Sequence, residues 1–195
     1  MSQPILSISI LSTVGREQYL CAMVSALNNQ IVKCEHNVVL NIISDKPVKN
    51  GGMSIGAKRN IALQSATGLY HCSVDEDDQV WSDYIEKQVK GCLSGCDCVS
   101  FMGNYFEDNK LIKPFIHSIK YDEYSEDEKY FYRFPNHLNA VKTEIAKIFL
   151  FDEINHGEDT NWATALHKSG LLKSEYKIDT PIYDYYFRKT KPEFQ

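Results

Sequence analysis

The 195-residue chain contains no apolar run approaching the roughly 18 residues that a membrane span needs. Its opening residues, Met1-Ser2-Gln3-Pro4, lack the basic region of a secretory signal, and the apolar stretch behind them is short and broken by Ser7 and Ser9. A cytoplasmic protein is therefore expected. Positive charge is also in short supply: Lys and Arg total 21 against 26 Asp and Glu, a formal net charge of −5. That balance counts against dedicated binding to duplex phosphates, which favours the opposite sign. Internal repeats and low-complexity tracts are absent. The six cysteines include Cys92, Cys96 and Cys98, but C-x3-C-x-C is not a zinc-knuckle spacing. Reduced thiols, with these three buried as small apolar residues, are expected.

What is present is an ordinary globular composition, 43% apolar and 24% charged, which excludes a disordered tail, a collagenous repeat or a disulfide miniprotein. Twelve Tyr and nine Phe suit a large core or a ligand-lined cleft. Residues 5–11 alternate with period two and predict a strand, and Tyr19, Leu20, Met23, Val24 and Leu27 then fall on one helical face, ending at Asn28-Asn29. Val38–Ile43 reads as a strand apolar on both faces, as in the middle of a parallel sheet. Ala57–Thr67 reads as a helix with Ala57, Ile61, Ala62 and Ala66 inward and Gly68 as its cap. Strands at Leu69–Val74 and Asp97–Met102 flank a short helix at Ser82–Cys92. Residues 103–135 read as an irregular aromatic and charged excursion, a lid or acceptor-side wall, or else a solvated hairpin. Asn136–Val141 returns as a strand, Asp159–Ser169 is a helix with Trp162, Ala163 and Leu166 inward, and the tail from Tyr183 is aromatic, then basic. This βαβα order predicts one α/β domain over residues 1–195, a mostly parallel mixed sheet flanked by helices.

Ligands of such sheets sit beyond the carboxyl ends of the strands. There the sequence places Asp75-Glu76-Asp77-Asp78, four carboxylates whose mutual repulsion a divalent cation would remove. Alternate residues of an extended segment point the same way, so Asp75 and Asp77 could share one ion; a solvated acidic turn is the alternative. Lys58 and Arg59, early in the preceding helix, offer cations to an anion such as a diphosphate.

Four segments resemble family 2 glycosyltransferases of the GT-A fold. They are Ile8 to Arg16, Gly56-Ala57-Lys58-Arg59-Asn60 to Leu63, Ala66-Thr67-Gly68-Leu69-Tyr70 and Val74 to Asp78; His156-Gly157-Glu158-Asp159 resembles that family's Gly-Glu-Asp element. Ser12 departs from the usual proline, and little chain follows the Gly-Glu-Asp helix. The segment from Gly56 and the run Asn136 to Lys142 also resemble small glycosyltransferases of phages and large viruses.

The resemblance implies a metal-dependent hexosyltransferase-like enzyme, with a donor half at 5–102 and an acceptor half at 103–195. It would move a sugar from a nucleotide-sugar, UDP-sugars first, to an acceptor hydroxyl with inversion. Thr13 and Asp45 would line the nucleobase pocket, Lys58 and Arg59 would meet the diphosphate, and Asp75 and Asp77 would bridge donor and Mn²⁺ or Mg²⁺. Asp78 would be a further ligand or a turn cap. Asp159 would be the catalytic base with Glu158 its rival; the other reading of these two is charge complementing a helix N-terminus. His137 could bind acceptor or metal, and His156 acceptor. Nucleotidyl transfer, or a non-catalytic nucleotide-sugar-binding module, is the alternative. A hydroxylated DNA base is one conceivable acceptor, served by a basic patch at Arg188, Lys189 and Lys191.

Overall fold

A computed structural model describes residues 3–188. In chain order its elements are β1 (Leu6–Thr13), α1 (Glu17–Ile31), β2 (Val38–Asp45), α2 (Ile55–Ser65), β3 (Tyr70–Asp75), β4 (Gln79–Val80), α3 (Tyr84–Leu93), β5 (Cys98–Glu107) and β6 (Lys110–His117). There follow β7 (Ser125–Glu126), β8 (Phe131–Arg133), β9 (Val141–Lys142), α4 (Thr143–Ala146), α5 (Glu158–Ser169) and β10 (Glu175–Phe187).

One mixed sheet holds all ten strands in the order β2-β1-β3-β9-β5-β6-β8-β7, with β10 joined to β5 and β4. Its long pairings, β1 with β2, β1 with β3 and β5 with β10, are parallel. The alternation in β1 divides its residues between two faces. Leu6, Ile8 and Ile10 pack with Met23, Leu27, Tyr84, Ile85 and Val89, so α1 and α3 cover that face. On the other face Ser7 accepts from the Thr67 and Gly68 N–H groups, and Ser9 meets His71 at 3.1 Å. There α2, α4 and α5 supply Leu63, Ala146, Trp162, Ala163 and Leu166 to a second core. The sheet thus lies between two helical layers, as its βαβ order requires. Among the described residues no helix is long and apolar enough to cross a membrane. Cys92, Cys96 and Cys98 are buried.

Several sequence expectations need correction. Helix α1 runs past Asn28-Asn29 to Ile31. Strand β2 lies at the sheet edge and is only partly buried, so its two apolar faces do not mark a central strand. Helix α2 buries Lys58 and Arg59 and leaves Ile61 44% exposed, because distant acceptors hold its cations inward. Gly68 does not cap α2, whose cap is Ala66. Gly68 passes so close to β1 that a Cβ would lie 2.5 Å from the Ser7 nitrogen. Of the two readings of 103–135, the hairpin describes its start, where β5 and β6 pair antiparallel and widen the sheet. Of Asn136–Val141 only Val141 is strand; His137 sits in a turn whose carbonyl accepts from Ser73. Finally, the tail contains a 13-residue strand, β10, alongside β5. Lys189 and Lys191 lie outside the described residues.

Candidate functional site

A cleft of about 500 Å³ opens at the carboxyl ends of β1 and β3. Its walls come from the start of α1, the start of α5 and the end of β10. Four cations stand in it: Arg16, Lys58, Arg59 and Arg188. Lys58 is buried, and its Nζ donates to the Ser12 carbonyl at 2.9 Å and to Thr13 Oγ1 at 3.0 Å. Burial pushes its amine below the usual range. Arg59 is buried too, donating from Nε to Glu158 (3.1 Å) and from Nη2 to Asp75 (3.2 Å), while Nη1 has no partner. Two remote segments, β3 and α5, are therefore joined through one guanidinium.

The four acidic residues after β3 part company. Asp75 faces Arg59 and also His137, whose Nε2 lies 3.4 Å from Oδ2. Burial pushes its carboxyl up, but Arg59 and His137 outweigh that and hold it well below the usual range. Glu76 is buried against Arg16 at 2.8 Å, and burial pushes its carboxyl up. Asp77 Oδ2 receives two guanidinium groups, Arg16 and Arg188, each at 2.8 Å. Asp78 turns into the core, accepting from Tyr183 Oη (2.7 Å) and the Tyr186 N–H (2.8 Å); burial, then Asp75, push it well up.

At the α5 end, Gly157 adopts a left-handed conformation (φ 84°) and starts the helix. Glu158 follows, buried on Arg59, and Asp159 next to it stays one-third exposed in the cleft. His137 is buried between Asp75 and Asp159: Nδ1 is 3.8 Å from Asp159 Oδ2, and neither ring nitrogen meets hydrogen-bond geometry. Tyr124 stands near Asp159, its phenol pushed up to about 12 by burial and then by that carboxylate. Gly56 lets α2 pack on the loop before α5; a Cβ there would lie 1.8 Å from the Asp152 carbonyl oxygen.

These residues do not fit the divalent ion that the resemblance implies. Asp77 and Asp75 are engaged by the protein's own cations, Asp78 faces inward, and no three His, Cys, Asp or Glu side chains among the described residues are grouped to hold a metal. An ion on Asp77 Oδ2 would have to displace both guanidinium groups.

No protein-family model matches the sequence, and no curated protein matches it. Solved structures do. Staphylococcus aureus TarS 1-349 in complex with UDP-GlcNAc superposes with a TM-score of 0.62 at 14% identity, over 97% of this chain and 60% of that one. The same protein in complex with UDP gives 0.61 at 14% identity, over 94% and 60%. The chain has the GT-A fold. A longer S. aureus TarS structure matches with a TM-score of 0.59 at 12% identity, over 94% of this chain. This GT-A chain spans about 60% of the length of TarS 1-349 and 37% of the longer structure.

Within the GT-A frame, the residues singled out from the sequence do not all meet. Thr13, Lys58, Arg59, Asp75, Asp77, His156, Glu158 and Asp159 line one cleft. His137 lies below it, in contact range of Asp75 and Asp159. Asp45 is not in its lining: its two oxygens accept from the Lys46 N–H (2.8 Å) and the Met53 N–H (2.7 Å), which fold the loop before α2. Sequence reasoning did not select Arg16 and Tyr185, which line the cleft, or Tyr183, which is buried beneath it on Asp78 and the Asp75 N–H. Arg16 closes the first strand's turn motif, which was its one signal; the two tyrosines carried none, since β10 was not recognised as a strand.

Proposed function

We propose that the chain transfers a sugar from a nucleoside-diphosphate sugar to an acceptor hydroxyl, with inversion at the anomeric carbon. The observation that carries this reading is Asp159, a partly exposed carboxylate in the same cleft as Arg16 and Arg188. The acceptor oxygen forms its bond to the anomeric carbon from the face opposite the diphosphate. The bond from that carbon to the β-phosphate oxygen breaks, its electron pair staying on the diphosphate, and the acceptor proton passes to Asp159. Preorganised positive charge stabilises the leaving anion. Glu158 is committed to Arg59 and serves as a support for the site rather than as the base. Thr13, positioned by Lys58, faces the nucleoside. The aromatic hairpin β5–β6 with Tyr124 forms the acceptor side. UDP-GlcNAc and UDP are held in the TarS complexes, so UDP-sugars are the first donors to test.

Thermal unfolding in the presence of nucleoside diphosphates, with and without Mn²⁺, tests the reading. A ligand at a hundred times its Kd stabilises by about 2.7 kcal/mol, which raises Tm by roughly 5–10 °C in a chain of this size. Asp159→Asn should keep that stabilisation while transfer falls at least ~100-fold. Absence of any Tm rise with every nucleoside diphosphate, metal present or not, refutes the proposal.

A further inference from the structure

We infer that Arg16 and Arg188 form a guanidinium clamp that binds the donor's diphosphate directly, at the position the resemblance gives to a divalent ion. The inference rests on the transfer reading above. All four cations of the cleft have partners, but Lys58, on Ser12 and Thr13, and Arg59, only 5% exposed on Asp75 and Glu158, are enclosed, whereas Arg16, on Glu76 and Asp77, and Arg188, on Asp77, are not. Arg16 and Arg188 keep 18% and 24% of their side-chain surface open, so they are the ones an entering anion reaches.

Both guanidinium groups are held in place. They share Asp77 Oδ2 at 2.8 Å, and Arg188 also donates to the Asp77 carbonyl at 3.3 Å. Each lies over the Tyr19 ring, at 5.3 Å for Arg16 and 5.7 Å for Arg188, and Arg188 lies 5.8 Å from the Tyr186 ring as well. With the buried Glu76 also on Arg16, the two guanidinium groups are balanced by two carboxylates, so the clamp offers an entering anion fixed, directed N–H donors rather than a net charge. A guanidinium carries five N–H donors, so each keeps donors beyond the contacts named here. Planar forks of this kind match phosphate oxygens, usually in pairs. Asp77 then acts as the anchor of the clamp. The two arginines come from the first turn after β1 and the residue just past β10, so only the folded sheet brings them together.

Calorimetric titration of the full chain with UDP, in EDTA and in Mn²⁺, tests this. UDP should bind in EDTA with a Kd within about threefold of that in Mn²⁺. Arg16→Ala and Arg188→Ala should each weaken UDP at least tenfold in EDTA while leaving uridine binding unchanged, and Arg188→Lys should recover part of the loss. If either alanine variant fails to fold, Arg16→Gln and Arg188→Gln carry the same test. UDP binding that appears only with Mn²⁺, or an Arg188→Ala affinity equal to the parent's, overturns the clamp and leaves the transfer reading standing. UDP and all other nucleoside diphosphates failing to bind under both conditions would overturn the transfer reading itself.

Discussion

Replacing Glu158 by alanine should unfold the protein at a distinctly lower temperature, because it strands a buried charge. Arg59 is 4% exposed and its Nε and Nη2 are bonded to Glu158 and Asp75, while Nη1 is already without a partner. Breaking a buried pair typically costs about 3–5 kcal/mol. Asp75 stays in place at 3.2 Å, so the lower end, about 3 kcal/mol, applies. For a chain of this length that is a Tm drop of roughly 6–12 °C. The matching experiment removes both charges. Arg59→Met with Glu158→Leu fills the same space with apolar groups and leaves Asp75, 27% exposed, to regain water. That double variant should recover most of the lost stability, since apolar replacement of a whole buried pair is often neutral. Urea unfolding of the parent, Arg59→Met, Glu158→Leu and the double variant closes the cycle. A Glu158→Ala loss below about 1 kcal/mol, or a double variant as unstable as the two single losses added together, would refute the view that Glu158 works by holding Arg59.

Two further outcomes follow from the packing. His71 and His117 are buried and pushed down, mainly by that burial, to about 3 and about 4. Their stabilisation is complete above the ordinary histidine value and is lost as pH falls from there toward those values. At pH 5 each should cost about 2 kcal/mol relative to neutral pH. Glu76 and Asp78, pushed up by burial, act with the opposite sign, so the comparison is with a His71→Gln, His117→Gln variant; equal acid sensitivity in both proteins would contradict it. Gly56→Ala should destabilise by about 1–3 kcal/mol and lower transfer, because a Cβ at that position meets the Asp152 carbonyl at 1.8 Å and pushes away the loop leading to Asp159. An unchanged Tm with unchanged turnover would show that the loop yields freely.

The sequence was most legible where neighbours in the chain are also neighbours in space. Strand β1 and helix α5 follow from their own periodicities, and Gly170 ends α5 in the left-handed conformation its position suggests. Helix α2 was misread because its orientation is decided elsewhere: Glu158, 99 residues away, and Ser12, 46 residues away, draw Arg59 and Lys58 inward. Strand β10 was hidden for a related reason. Lys177, Asp179 and Pro181 interrupt its apolar pattern, and Pro181 sits where the register with β5 shifts. The fold class survives such errors, since it depends on element order. The placement of Arg188 against Asp77 depends on a strand that local pattern did not announce.

That strand also fixes when the cleft can exist. Synthesis proceeds from β1 toward β10, and β1 and β3, which carry Thr13 and Asp75, are made long before it. Yet Tyr183 Oη bonds both the Asp78 carboxylate and the Asp75 N–H, and Tyr185 to Arg188 complete one wall. Until β10 docks on β5, the acidic segment has neither its core anchor nor its second guanidinium. A nascent chain halted before Glu175 would therefore leave Asp78 without Tyr183 and Asp77 with Arg16 alone, and donor affinity would arrive late, with the last strand rather than with the strands that bear most of the site.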